Sequence, residues 1–304
     1  MSYPPEPGRR RKLRRSHLVA LTGLLLLAAY GACWYWQQTR FPAHSVPVAG
    51  TPVELRVQKG VAPRELSAVT EGLRLSDRFM RKQLGRTVEQ PVEARVARAD
   101  GCRPFESPTE SLIAEADRGF LCVATRNLHW RYLIDSDWHA AVAVTAHEYV
   151  HVLQAELGCL SQGRDQKYRW LMEGMADEIA WRALIADGLV SNARVTSDLR
   201  RDAIRVRGSY ERGLDPLAAY ERGGGADREY ALWHMAVRRL VHVAVRAGAA
   251  PAERPEIALR RFCARVGAGL DWRSAFAHSF GESVETFYAD FEDFRGRMGD
   301  SRDL

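Results

Sequence analysis

Apolar residues follow three different patterns along the chain. Residues 18 to 36, LVALTGLLLLAAYGACWYW, carry no charge. As a helix rising about 1.5 Å per residue this run spans roughly 28 Å, enough to cross a bilayer. Residues 37 to 52, QQTRFPAHSVPVAGTP, have little periodicity and much Pro, Ala and Gly, which predicts a linker. A folded domain follows from residue 53 to about 300. In its first half Val53, Leu55 and Val57 alternate as in a strand, while Leu66, Val69, Leu73, Met80 and Leu84 recur at helical spacing. Strands are predicted at 91–98, 119–125 and 128–134. Beyond residue 136 helices dominate, at 137–157, 166–187, 194–206, 228–247, 252–266, 271–279 and 283–296. Glycines such as Gly158, Gly188, Gly248, Gly267 and Gly281 mark their ends. The predicted class is therefore α+β, a small sheet-containing N-terminal half followed by a helical C-terminal half. The Gly-rich stretch 221–227 is a flexible break before the 228–247 helix, and no internal repeat is visible.

Charge changes the picture at the N-terminus. The net charge is +6, but Arg9, Arg10, Arg11, Lys12, Arg14 and Arg15 against Glu6 supply +5 of it. The rest of the chain is nearly neutral, so a nucleic-acid partner is not expected. The same basic cluster makes residues 1–17 a cytoplasmic tail and residues 18–36 a transmembrane signal anchor. A cleaved signal peptide shares the basic start, but its apolar core is shorter, and Trp34, Tyr35 and Trp36 suit a membrane interface. Tyr30 stands where lipoprotein processing calls for a small aliphatic residue, which disfavours lipidation of Cys33. The domain is then expected on the extracytoplasmic side of the plasma (inner) membrane. That side is usually oxidising, and Cys102, Cys122, Cys159 and Cys263 form an even set with three conceivable connectivities. The expected pairing is Cys102 with Cys122 and Cys159 with Cys263, buried free thiols being the alternative for the second pair. Forty arginines to four lysines is the usage of a GC-rich bacterial genome.

Candidate chemistry lies in HEYVH, residues 147–151. Residues four apart share a helix face, so His147 and His151 present two imidazole nitrogens to one ion. Glu148, about 100° round the helix, can face a water there without being a ligand. The bland alternative is a core helix carrying two polar residues, yet buried histidines need partners. Glu173 follows His151 by 22 residues, room for a loop and a returning helix that would bring a third ligand. Asp177, one turn on, would accept the far ring N–H of a ligand histidine. Acids on a helix usually face solvent, but Trp170, Leu171, Met172, Met175, Ala176, Ile179 and Ala180 surround these two with apolar neighbours.

Together HEYVH and WLMEGMADE resemble the gluzincin metallopeptidases, most closely the peptidase MA-like group, whose W-L-x-E-G-x-A pattern is matched from Trp170 to Ala176. The C-terminal LDWRSAFAHSFGESVETFYADFEDF is similar to the helix pair that closes such domains. The resemblance covers roughly residues 53–297 and implies a thermolysin-like fold. It implies one zinc ion held by His147, His151 and Glu173, with Glu148 as general base toward a zinc-activated water and Asp177 supporting a ligand. It also implies a tyrosine at the start of a later helix as oxyanion donor. REYALWHMAVRRL puts Tyr230 at that place, with His234 in reserve. A G-x-M-E-N stretch is missing, which points to an endopeptidase rather than an aminopeptidase.

The expected function is hydrolysis of peptide bonds by a membrane-anchored zinc peptidase, its peptide or protein substrate added as a strand along 119–125. The alternative is a catalytically silent binding or assembly module of the cell envelope. Purely structural zinc is disfavoured, since closed structural sites are Cys-rich and no Cys-x-x-Cys occurs. His139, His242 and His278 have no partner pattern and are expected to be structural.

Overall fold

The computed structural model describes residues 19–32, 43–98, 102, 113–160, 167–208, 216–222 and 229–300. The chain divides into two units, residues 1–44 and 45–304. The first contributes one helix, α1, at residues 19–32. Val19, Leu24, Leu25, Leu26 and Leu27 on it are all exposed. Among the described residues no helix is long and apolar enough to cross a membrane. The flanks of the expected span, residue 18 and residues 33–36, lie outside the described residues.

The second unit is α+β. Strands β1 (Ala43–Pro47), β2 (Val53–Gln58), β3 (Val92–Ala97), β4 (Ala114–Asp117) and β5 (Phe120–Ala124) form one sheet in the order β1-β2-β3-β5-β4. β2, β3 and β5 are parallel and β4 is antiparallel to β5. Register places Leu55, Ala94 and Leu121 in one row across three strands, all fully buried. Alternation in β2 sends Glu54 and Arg56 to the opposite, exposed face.

Helices α2 (Pro63–Phe79), α3 (Leu128–Ser136), α4 (Trp138–Leu157), α5 (Arg169–Ala186), α6 (Asn192–Gly208), α7 (Tyr230–Arg246), α8 (Ile257–Gly267), α9 (Trp272–Phe280) and α10 (Val284–Asp300) supply the rest. α2 ends in a π-helical turn, Met80–Leu84. Two glycines set the spacing around α4 and α5. A Cβ at Gly72 of α2 would lie 2.6 Å from the Val142 carbonyl oxygen of α4, and one at Gly174 of α5 would collide with the Trp233 carbonyl of α7. Each pair of helices thus approaches at a contact only glycine allows. Cys102 is bonded to Cys122, and Cys159 to Cys263 with their Cα atoms 4.7 Å apart, so the end of α4 is tied to α8.

Four expectations are corrected. LHWRYLI is not a strand but most of α3: the Asn127 side chain accepts from the backbone N–H groups of His129 and Trp130, and Trp130, Leu133 and Ile134 bury one helical face. The expected linker contains β1, which adds to β2 through a short turn at residues 48–52. β5, expected at the sheet's edge, is internal, because the short AEAD strand β4 pairs outside it. The helix expected from 252 begins at Ile257, after Pro251 and Pro255. The Gly-rich break falls largely at 223–228, outside the described residues.

Candidate metal centre

No residue of α4 is exposed on any side of the helix. Asp137 caps its start, accepting from the Ala140 N–H, and Gly158 ends it with a positive φ of 78°. Such a helix runs through the core rather than along the surface, so His147 and His151 are held buried. α5, beginning after the loop that follows α4, packs against it and delivers Glu173 to the same point.

The donors converge tightly. His147 Nε2 lies 2.9 Å from His151 Nε2, and Glu173 Oε2 is 3.3 Å from the first and 3.2 Å from the second. Two donors about 2.0–2.1 Å from one tetrahedral ion stand roughly 3.3 Å apart. The triangle is therefore the right size for zinc, and these three residues form a group whose ligand atoms all lie within 4.8 Å of one another.

The far ring nitrogens fix the chemistry. His147 Nδ1 lies 2.7 Å from Asp177 Oδ1, and His151 Nδ1 lies 2.7 Å from Gln154 Oε1. The Gln154 amide is oriented by its own N–H, which donates to the Met172 carbonyl at 3.0 Å, so its oxygen faces the imidazole. Both Nδ1 atoms must then carry protons and donate. Each neutral imidazole is left with a bare Nε2, and the two lone pairs and one carboxylate oxygen point at a common spot. A metal ion or added protons would satisfy that arrangement. Without metal, protons take the role. Burial alone would lower the pKa of His147, but Asp177 and Glu173 raise it well above the usual imidazole range. Burial would likewise lower His151, and Glu173 raises it. Glu173 moves the other way, held well below the carboxylate range by His151 and His147 despite its burial.

Around this triangle stand the remaining candidates. Burial pushes the Glu148 carboxyl up, His151 and His147 pull it down, and Glu173 and Glu115 add to the rise. Glu115 belongs to β4, so the edge strand runs beside the general-base candidate, and α4 packs against it. The Tyr230 ring is 6.0 Å from the His147 ring, at the first residue of α7. Burial and Glu173 raise its hydroxyl pKa, opposed by Arg169, so the hydroxyl keeps its proton.

His234 is a correction. Its Nε2 lies 2.8 Å from Glu178 Oε2 with both side chains buried, which commits that nitrogen to α5 and removes it as an oxyanion donor. One turn separates it from Tyr230, but Glu178 follows Asp177 directly and faces α7 instead of α4. His139 sits 4.0 Å from Asp137, and His242 is exposed on α7.

Two participants had not been singled out. Gln154 stands three residues after His151 on α4, the spacing of a helix neighbour, and that spacing was the available signal. Arg169, one turn before Glu173, reaches its Oε1 at 3.4 Å, lies close enough to Tyr230 to interact with it electrostatically, and covers the Trp233 ring at 5.7 Å. It occupies the glutamate oxygen that does not face the histidines.

No protein-family model matches this chain, and no curated protein matches it in sequence.

Proposed function

We propose that the protein is a membrane-anchored, zinc-dependent peptidase of the gluzincin type, an endopeptidase acting outside the cytoplasm. The observation that carries this reading is the convergence of two Nε2 atoms and Glu173 Oε2 within 3.3 Å, with both Nδ1 atoms committed to acceptors. His147, His151 and Glu173 would hold the ion. Zinc held by three protein ligands supplies Lewis acidity toward a water and a peptide carbonyl.

The chain's own groups supply the rest. Asp177 and Gln154 keep the imidazoles in one tautomer and one orientation. Glu148, beside the triangle but not part of it, takes a proton from the attacking water and returns it to the departing amine. Its raised pKa makes it a better base than an ordinary carboxylate. Tyr230 keeps its proton and donates to the oxygen on which negative charge develops. Arg169 holds the Glu173 oxygen that faces away from the histidines, and its charge acts on Tyr230. Among the described residues no strand pairs with the outer edge of β4, which lies beside α4, so an extended peptide can add there as a further strand and lie along Glu148.

The anchor reading draws on the exposed apolar side chains of α1. Placement in an oxidising compartment draws on the two disulfides.

The test uses the full chain in detergent. Elemental analysis should give one zinc per chain, and a peptide library should be cleaved at internal bonds. Glu148→Gln should retain the zinc while losing about 10²–10⁴-fold in rate. Substoichiometric zinc would sink the metal assignment. Stoichiometric zinc with no cleavage of any peptide would replace the peptidase by a silent binding module.

A further inference from the structure

Large apolar side chains exposed in the folded unit are few. Among the described residues they are Leu128, Tyr132 and Leu270, with 64%, 66% and 38% of their surface in solvent. The two most exposed are one turn apart on α3, on the face opposite Trp130, Leu133 and Ile134. Around them is a basic rim. Lys59 follows β2, Arg64 sits in the first turn of α2, Arg98 follows β3, Arg126 follows β5 and Arg131 is on α3, and all five are exposed. A side chain at Gly60 would meet the Arg98 guanidinium, and Glu65 feels Arg98, Arg131 and Asp135 together, so these residues share one end of the sheet. Among the described residues Glu65 and Asp135 are acids at that end, and Glu65 accepts from the Ala62 N–H.

The chain enters the domain at that same end. β1 and β2 are sheet neighbours joined by residues 48–52, too short for a parallel crossover, so they are antiparallel. Ala43 therefore lies beside the C-terminal end of β2, and the parallel strands β3 and β5 end there too. β5 is three strands from β1, about 14 Å at the usual strand spacing. Between residue 36 and β1 stand residues 37–42, which span at most roughly 20 Å when fully extended.

We propose that this end of the sheet lies on the membrane: Leu128 and Tyr132 insert at the headgroup level of an anionic bilayer while Lys59, Arg64 and Arg131 face its phosphates. An apolar pair with an aromatic, flanked by cations, is the composition of an interfacial contact. The short tether keeps it within reach of the lipid. This inference rests on the reading of residues 18–36 as an uncleaved anchor, and is independent of the metal site.

The test places the full chain in nanodiscs containing phosphatidylglycerol, with an environment-sensitive fluorophore on Tyr132→Cys, on Glu253→Cys, or on native Cys33. Cys33 is replaced by Ser for the first two. Glu253 stands near Phe79 and Gln83, at the C-terminal end of α2 and so away from the rim. Nitroxide lipids labelled near the headgroup should dim the probe at 132 by about twofold or more and leave the one at 253 unchanged. Leu128→Ser with Arg131→Glu should abolish the difference. Equal, weak quenching at 132 and 253 with strong quenching at Cys33 would overturn the surface contact and leave the anchor standing. Weak quenching at all three positions would remove the anchor and this inference with it.

Discussion

Asp177 and Glu178 are consecutive on α5, each holds a histidine of a neighbouring helix, and the two pairs have opposite fates. Asp177 takes the Nδ1 of His147 at 2.7 Å, and Glu178 takes the Nε2 of His234 at 2.8 Å. In the first pair the histidine's other nitrogen faces two further donors. In the second, both side chains are sealed between α5 and α7, and the acid's further neighbour is Arg182 at 3.8 Å. A histidine–carboxylate pair is thus no sign of a metal site by itself. What makes one is the set of unprotonated atoms gathered at the far side of the ring.

Removing a ligand tests the first pair most severely. Glu173→Ala deletes the only negative donor of the triangle, and the expected result is loss of stoichiometric zinc with the helices retained by circular dichroism. His234→Ala should do the reverse. It strands the buried Glu178, which costs about 3–5 kcal/mol, visible as a lower denaturant midpoint, while zinc content per folded chain is unchanged. Zinc loss in His234→Ala, or a wild-type midpoint, would merge the two pairs into one network and remove the distinction.

How much of this could be read from the residues follows from which links are local. His147, Glu148, His151, Glu173 and Asp177 were found because a helix turns 3.6 residues at a time, so i, i+4 spacing specifies a shared face before any tertiary structure is known. The partner of His234 was not found, because the choice between Asp177 and Glu178 depends on how α5 rotates between α4 and α7, a packing question set in part by Gly174. The sheet was read where alternation is strong, as in Val53, Leu55 and Val57. It was missed at β4, whose AEAD sequence has two acids in four residues and forms a strand only because β5 pairs with it. LHWRYLI satisfied a strand pattern and a helix pattern together. Asn127 as a cap was the feature that decided between them.

Gly174 gives a test of that packing. Its missing Cβ is what lets α5 and α7 meet, so Gly174→Ala should cost about 1–3 kcal/mol through overpacking. It should also shift Tyr230, on the far helix, more than His147. Structural comparison of the variant with the wild type checks this directly. An unshifted α7 with unchanged stability would mean that the close approach does not govern the relation between the two pairs.

The finer comparison is inside the candidate metal site, where His147 leans on a carboxylate acceptor and His151 on an amide one. Losing such a support typically costs about 10–100-fold in metal affinity. An ionised acceptor makes the stronger hydrogen bond, so Asp177→Ala should weaken zinc by the upper part of that range and Gln154→Ala by the lower, measured by chelator competition. The pH dependence follows from the same contacts. Asp177 and Glu173 raise the imidazole pKa values in the metal-free site, so protons compete with zinc over a range that begins above the ordinary value of about 6.5. Affinity should therefore fall as pH decreases through and below neutrality. In Asp177→Ala the His147 pKa loses its main support, so the fall should begin at a lower pH even though the affinity on the alkaline side is weaker. If the midpoint stays where it is in the wild type, the proton that zinc displaces is not on His147, and Asp177 holds its histidine in position without setting its charge.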